Sequence, residues 1–187
     1  AAAAAAVGPS TCAVLMEPVQ GEGGVIPAQA DYLRGLQELC HERGVLFMLD
    51  EVQTGVGRTG AYFAFQHYGL APDVVTLAKG LGGGVPVGAV LARDEVARVF
   101  EPGDHGSTFG GNALSAAAVC AVLETLEAEG LVEHAARMGE RLQSGLRALA
   151  SRNPLVTEVR GRGLLVALDL RVSSAAVEAA CRERGVL

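Results

Sequence analysis

Short runs of consecutive apolar residues recur along the first half of the chain. They lie at 13–17, 45–49, 74–78 and 86–91. Runs of this length without polar alternation are typical of strands that are buried on both faces. Between the first two runs, apolar residues recur at helical spacing over 29–43. Buried strands separated by a helix and loops predict an α/β fold with a largely parallel sheet.

Longer helical periodicity begins in the second half. Residues 113–129 and 131–150 predict two helices that are separated at Gly130, and an apolar stripe runs from Leu131 to Leu149 in the second. Two short apolar runs follow at 155–159 and 163–168, which predicts a hairpin-like pair of strands.

Two domains follow from this change of pattern. We expect a larger sheet domain followed by a smaller α/β domain that begins between residues 131 and 153, and we divide the chain into 1–130 and 131–187. Ser173 or Ser174 is suited to cap a last helix that ends near Gly185. Six alanines open the sequence and an apolar run begins at its end, so we expect both ends to be cut.

Composition and charge exclude several kinds of protein. Half of the residues are hydrophobic and 19% are charged, so the chain can bury a core. The net charge is −6 without a Lys/Arg cluster, and aromatic residues make up 4%, which disfavours a nucleic-acid or anionic-membrane partner. No apolar run approaches about 18–20 residues, so no transmembrane helix is expected.

Neither the cysteines nor the histidines have the spacing of metal ligands. The cysteines are Cys12, Cys40, Cys120 and Cys181, and the histidines are His41, His67, His105 and His134. We interpret the cysteines as buried apolar residues of a reducing compartment and expect no disulfide and no metal.

Lys79 is the strongest candidate for chemistry. It is the only lysine, and the other 14 of the 15 basic residues are arginines. A lysine can lose its proton and attack a carbonyl, whereas an arginine stays protonated. Lys79 and Asp50 each end a predicted buried strand, at the sheet edge where α/β proteins bind ligands. The pair could also be a structural ion pair, but the glycines over 80–84 leave room for a bulky group beside the amine.

Two glycine-rich segments are more ambiguous. The segment 55–60 matches GxGxxG, but it does not follow its strand directly, so we favour an ordinary loop over a dinucleotide site. The segment 106–112 carries Ser107 and Thr108 before a predicted helix, which suits either phosphate binding or a simple helix cap.

Four longer strings resemble the class III (subgroup II) pyridoxal-phosphate aminotransferases. They are EPVQGEGGV at 17–25, LDEVQTGVGRTG at 49–60, PDVVTLAKGLGGGVPVGA at 72–89 and HGSTFGGN at 105–112. Their order and spacing are those of the family, and together they extend over most of the chain. The resemblance implies the fold-type I architecture, with a mostly parallel sheet in a large domain and a smaller C-terminal α/β domain.

The resemblance also implies roles for individual residues around the cofactor, pyridoxal 5'-phosphate. Lys79 would bind the cofactor covalently and then move protons, and Asp50 would pair with the pyridinium nitrogen. Glu51 is expected beside them at the cofactor. Val52 would pack on the ring, and Gln53 would bind the ring hydroxyl.

Further residues are expected to act on the substrate or across subunits. Thr108 would reach the cofactor phosphate of the neighbouring subunit of a homodimer, and Ser107 would lie near the substrate. Glu22 matches the glutamate that pairs with a substrate-binding arginine and gates the two half-reactions. That arginine, the N-terminal phosphate loop and the aromatic residue that stacks on the ring are not found in this chain.

The expected reaction is transfer of an ω-amino group between small amino and oxo acids in the cytoplasm. N-acetylornithine with 2-oxoglutarate is the leading substrate pair, of the kind used in arginine biosynthesis. Ornithine, 4-aminobutyrate and succinylornithine are alternatives, because enzymes for these substrates have the same motifs. A catalytically inert fragment is the alternative of a different class.

Overall fold

The computed structural model describes residues 2–186, which contain six α-helices and eight strands. The helices are α1 (Ala2–Ala6), α2 (Ala30–Glu42), α3 (Asp94–Ala97), α4 (Ala113–Ala128), α5 (Leu131–Ala150) and α6 (Ser174–Arg182). The strands are β1 (Ala13–Met16), β2 (Val19–Gln20), β3 (Ile26–Pro27), β4 (Leu46–Asp50), β5 (Val74–Leu77), β6 (Ala89–Ala92), β7 (Val156–Arg162) and β8 (Leu165–Leu170). Short 3₁₀ helices lie at Ala64–Tyr68 and Lys79–Gly82.

A four-stranded sheet in the order β1–β4–β5–β6 forms the centre of the first unit. Strands β1, β4 and β5 are parallel, and β6 is antiparallel to β5. The predicted α/β fold with a mostly parallel sheet is therefore confirmed. The small antiparallel pair of β2 and β3 was not predicted, because two-residue strands leave no periodic signal.

The prediction that 86–91 forms a buried strand was wrong. The strand begins at Ala89, and its Val90 and Leu91 are 63% and 47% exposed. An edge strand has a neighbour on one side only, so an apolar run does not by itself imply burial there. Leu15 on the opposite edge strand, β1, is also exposed.

The main core lies between α2 and the sheet. Leu33, Leu36 and Cys40 form one face of α2 because they are three and four residues apart. They pack with Phe47 and Leu49, which are two residues apart on β4 and therefore point to the same side of the sheet. This packing fixes the position of β4, whose last residue is Asp50.

The second unit consists of α5 packed on the β7–β8 hairpin. The buried face of α5 is formed by Val132, Ala135, Gly139 and Gln143. The predicted stripe was partly wrong, because Leu142 and Leu149 are exposed. The helix packs so closely against the hairpin that only small side chains fit between them, so the face with the small residues is buried and Leu142 and Leu149 face outward.

The predicted burial of the cysteines holds only for Cys40. Cys12 and Cys120 are exposed, Cys181 is partly buried, and all four are free thiols. Cys12 precedes edge strand β1, and Cys120 lies on α4, where its side chain is exposed. Within residues 2–186, no helix combines the length and the apolar character needed to cross a bilayer.

Candidate active site

Asp50 and Lys79 lie at the same edge of the sheet. Asp50 ends β4 and is paired in register with Thr76 of the parallel strand β5. Lys79 follows two residues after the end of β5 and opens the 3₁₀ turn Lys79–Gly82. Carboxyl ends of parallel strands meet at one edge, so the order of the strands alone brings an acid and the single lysine to the same place.

A cavity of about 410 Å³ opens beside Lys79. Its lining comprises Val52, Gln53, Gly55, Val56, Gly57, Arg58, Lys79, Gly80, Leu126, Leu131, Ala135, Leu164 and Leu165. The first unit supplies the lysine and the polar wall, and α4, α5 and the tip of the β7–β8 hairpin supply the apolar wall. A pocket with one apolar side and a few convergent polar groups is typical of a small-molecule site.

Strained backbone is concentrated around this cavity. Among the described residues, the only non-glycine residues with positive φ are Val25, Val56 and Lys79, at 52°, 56° and 46°. For a β-branched valine this conformation is rare and costs about 1–3 kcal/mol. Val56 and Lys79 line the cavity, and Val25 lies in the same turn as Glu22. Strain retained at such positions is typical of functional sites.

The carboxylate of Asp50 is half-buried and oriented by its own loop. Its Oδ1 accepts a hydrogen bond from Val52 N at 2.9 Å. Within residues 2–186, Oδ2 has no hydrogen-bond partner and remains available for a ligand. The same bond sets the direction of the chain at Val52, which lines the cavity.

Glu51 is buried below this loop and does not line the cavity. Its Oε2 accepts hydrogen bonds from Thr54 Oγ1 at 2.6 Å and from Ala64 N at 2.8 Å, and its Oε1 accepts one from Phe65 N at 2.8 Å. Burial raises the pKa of the Glu51 carboxyl, although the three hydrogen bonds oppose this shift. The carboxylate thus ties the chain after β4 to the 3₁₀ helix that begins at Ala64.

Gln53 connects the cavity to the turn that contains Glu22. Gln53 Nε2 donates a hydrogen bond to Glu22 Oε1 at 3.0 Å. Glu22 is exposed, and Gln53 is partly buried where it lines the cavity. Two residues that were predicted separately, one for the substrate and one for the cofactor, are therefore in direct contact.

Ser107 and Thr108 lie in a fully exposed segment, 101–112, and do not line the cavity. Ser107 Oγ accepts a hydrogen bond from Gly110 N at 3.1 Å. The residue that caps α4 is Asn112, whose Oδ1 accepts from Ser115 N. The structure thus brings Lys79, Val52 and Gln53 together, with Asp50 at the same edge, and leaves the hydroxyl pair outside.

Sequence reasoning missed the wall that the second unit contributes. Gly163 has a φ of +55°, and a Cβ atom there would lie 2.3 Å from the carbonyl carbon of Thr59. Next to it, Leu164 N donates a hydrogen bond to Arg58 O at 3.0 Å. This close approach places Leu164 and Leu165 opposite the lysine. No local pattern marks such a contact, because more than a hundred residues separate its two sides.

The side chains at this edge of the sheet are chemically suited to pyridoxal phosphate. Such a ring needs an amine for its aldehyde, a carboxylate for its nitrogen and an apolar side chain against its face. Lys79 and Val52 line the cavity and are groups of the first and third kind, and Asp50 at the same sheet edge has a carboxylate of the second kind. His67 is not a ligand candidate: its Nε2 lies 3.1 Å from Thr59 O, and burial lowers its pKa. Within the described residues, no cluster of metal-ligating side chains occurs.

Comparison with known proteins identifies the family. A sequence profile for "Aminotransferase class-III" matches residues 1–187. The chain belongs to the class III aminotransferases. An acetylornithine aminotransferase from Gloeobacter violaceus is 53% identical over 180 residues, which cover 95% of this chain and 45% of that protein. The chain thus spans less than half the length of this relative.

Solved structures agree with this assignment. Acetylornithine aminotransferase from Elizabethkingia anophelis matches with a TM-score of 0.89 and 43% identity, over 94% of this chain and 45% of the other. An ornithine aminotransferase from Toxoplasma gondii matches with a TM-score of 0.87 and 42% identity, over 94% and 42%. That structure is described with partial occupancy of pyridoxal phosphate at its active site. The predicted family and its fold are confirmed.

Proposed function

We propose that the protein carrying this chain is a pyridoxal-phosphate-dependent aminotransferase for an ω-amino group. N-acetylornithine is the proposed amino donor and 2-oxoglutarate the acceptor. The observation that supports this most directly is the position of Lys79: the only lysine lies on strained backbone at the cavity, with Asp50 at the same sheet edge. The acetylornithine aminotransferases that match at 52–55% identity support the substrate.

Each proposed role uses a feature of the residue's own surroundings. The bound cofactor supplies the electron sink that allows a proton to leave the amino-bearing carbon. Lys79 Nζ would hold the cofactor and carry that proton, because an amine can both accept and return it. Asp50 Oδ2 would bind the ring nitrogen and stabilise its proton by charge. Val52 would pack against the ring, and Gln53 would donate to its hydroxyl.

Glu22 and Glu51 are proposed to act around the cofactor, one at the substrate and one on the loop at the cavity. Glu22 is proposed to bind a cationic group at the substrate side, and its contact with Gln53 keeps it close to the cavity. We propose that Glu51 contributes to the cofactor site through the loop that it holds, because its three hydrogen bonds all stay inside the protein.

We further propose that the protein is a homodimer with shared sites. Ser107 and Thr108 lie in an exposed segment that also carries Phe109, which is 81% exposed. Leu114 of α4 is 74% exposed, and an apolar surface of this kind suits a partner subunit. If the two subunits share their sites, a mixed dimer of Lys79→Ala and Thr108→Ala chains has one site with both substitutions and one site with neither. Mixing the two variants should then restore part of the activity. Without recovery in proven heterodimers, each subunit would complete its own site.

Ornithine is the second candidate donor, because solved ornithine aminotransferases match this chain with TM-scores of 0.89 to 0.91. Comparing kcat/KM for N-acetylornithine, ornithine, 4-aminobutyrate and succinylornithine in the complete protein separates these assignments. A preference of tenfold or more for N-acetylornithine is expected. We place the enzyme in the cytoplasm, in keeping with its four free cysteines, and cell fractionation tests this.

The covalent role of Lys79 is tested by trapping the cofactor. Borohydride reduction of the complete protein with pyridoxal phosphate, followed by peptide mapping, should place the label on Lys79. Asp50→Asn should keep the label but lower turnover by orders of magnitude, because the ring nitrogen loses its charged partner. A label confined to the N-terminal amine, or unchanged turnover in Asp50→Asn, would contradict the assignment.

Residues 1–187, expressed alone, can be compared with the complete protein. We expect them to be inactive, because catalysis requires several groups held in register and this chain contains only some of those that the family uses. Turnover by this segment at the rate of the complete protein would show that no further groups are needed.

A further inference from the structure

Arg160 of β7 reaches across to the turn that contains Glu22. Its Nε and one terminal nitrogen both donate hydrogen bonds to Gly24 O, at 3.2 Å and 3.1 Å. The side chain is 20% exposed, and 136 residues separate the two partners in sequence. A paired contact from a planar guanidinium fixes both the position and the direction of the carbonyl group.

The turn that receives Arg160 is tight and strained. Gly24 N and Val25 N both donate hydrogen bonds to Gly21 O at 3.1 Å. Gly24 has a φ of +110° and Val25 a φ of +52°. Such a conformation persists only when neighbouring groups hold it. Arg160 supplies a side-chain contact from the second unit to the turn itself, and β7 also packs against β3, which follows the turn. Glu22 lies inside this turn, so its position depends on the same anchoring.

The charge of Arg160 is balanced by acids other than Glu22. Its second terminal nitrogen lies 2.8 Å from Glu158 Oε2 and 3.7 Å from Asp169 Oδ2. Among the described residues, Arg160 makes no ion pair with Glu22, which instead accepts from Gln53. The guanidinium therefore holds the turn through a backbone carbonyl and leaves the Glu22 carboxylate free to bind a substrate-side cation.

We propose that Arg160 is a positioning residue for Glu22. It ties the β7–β8 hairpin to the turn 21–25, so that the hairpin, which also places Leu164 and Leu165 at the cavity, sets the position of the carboxylate. A shift of the hairpin then moves one wall of the cavity and Glu22 together. This inference rests on the proposed function of Glu22 at the substrate.

The test uses the complete protein with Arg160→Met, which keeps an apolar stem and removes the donors, and Arg160→Lys, which keeps the charge. Arg171→Met is the matched control, because Arg171 is exposed near the same hairpin and its side chain contacts no acid among the described residues. Hydrogen–deuterium exchange in the apoprotein measures the turn directly. Single-turnover absorbance with the amino donor and with the oxo acid gives the ratio of the two half-reaction rates.

Arg160→Met should speed exchange of the Gly24 and Val25 amides about tenfold and change the half-reaction ratio by about three- to tenfold. Arg160→Lys should give a smaller change, and Arg171→Met should behave as wild type. In a Glu22→Gln background, Arg160→Met should alter the ratio less than twofold, because the group that it positions is already neutral.

Two results would overturn the inference while leaving the proposed function intact. One is an active wild type whose half-reaction ratio is the same in Arg160→Met and Arg171→Met. The other is an Arg160→Met effect that is undiminished in the Glu22→Gln background, which would indicate a general structural role. Absence of both half-reactions in the wild type would instead refute the proposed function itself, and the inference with it.

Discussion

Replacing Glu51 with alanine tests whether one buried carboxylate holds the loop at the cavity. The substitution removes the acceptor for Thr54 Oγ1, Ala64 N and Phe65 N. Thr54 and Ala64 are fully buried, so water does not reach their donors. Phe65 is partly exposed, so its N–H has more access to solvent.

The expected loss of stability follows from these contacts. Each buried donor without an acceptor costs about 1–3 kcal/mol, and two such donors give about 2–6 kcal/mol. Removing a desolvated carboxylate returns part of this cost, so we expect a net loss of about 1–4 kcal/mol. Glu51→Gln keeps one oxygen for Thr54 and Ala64 but turns an NH₂ group toward Phe65 N, and should lose about 1–2 kcal/mol.

Urea denaturation at pH 7, followed by circular dichroism, measures these differences in the free energy of unfolding. Glu38→Ala is the control, because Glu38 is exposed on α2, and it should stay within about 0.5 kcal/mol of wild type. A loss below about 1 kcal/mol in Glu51→Ala would refute the reasoning, since it would mean that the buried donors find other partners.

The pH dependence gives a second check on Glu51. Burial raises its pKa above the ordinary value near 4.5, so between the two values the folded state binds more protons than the unfolded state. The part of the wild-type advantage over Glu51→Gln that depends on protonation should therefore be complete below pH 4.5 and should fall as the pH rises through the raised pKa, leaving at pH 7 the part that comes from the hydrogen bonds. An increase across this range would contradict the assigned cause.

Two further predictions concern the contact between the units. Gly163→Ala should destabilise the protein by about 3 kcal/mol or more, from positive φ and the clash with Thr59, whereas Gly145→Ala, in open space on α5, should stabilise it by about 0.5–1 kcal/mol; thermal unfolding compares them. Burial and then the charge of Arg162 lower the pKa of His67. The stability that His67 contributes should be present above about pH 6.5 and should be lost as the pH falls through the lowered pKa, by up to about 1.4 kcal/mol per pH unit. Denaturation from pH 7 to 5 measures this: stability should depend less on pH in His67→Gln than in wild type, whereas His134→Gln, at an exposed histidine, should behave as wild type.

The sheet edge could be predicted from the sequence because it depends on local patterns. The apolar runs that end at Asp50 and Lys79 predict two strands. Because the ends of parallel strands align, they also predict that these two residues lie at the same edge of the sheet. The exposure of Val90 and Leu91 could not be predicted, because an edge strand and a central strand have the same apolar run.

The rest of the site depends on contacts between distant parts of the chain. Neither the burial of Glu51 under its loop nor the contact between Gln53 and Glu22 leaves a periodic signal. The division of the chain at residue 130 stays a prediction. So do the roles of the individual site residues, which depend on the cofactor rather than on the fold alone.

The long sequence separation across the cavity has a consequence for folding. Its lysine wall can form once the strands of the first unit are paired, but Leu164 and Leu165 arrive only after the hairpin docks on Arg58 and Thr59. Contacts between such distant residues form slowly, because a large loop must close before they add any stability. During synthesis, the cavity therefore stays open until the ribosome has released the hairpin. Under the proposed function, acquisition of cofactor affinity should then report docking of the hairpin rather than pairing of the strands.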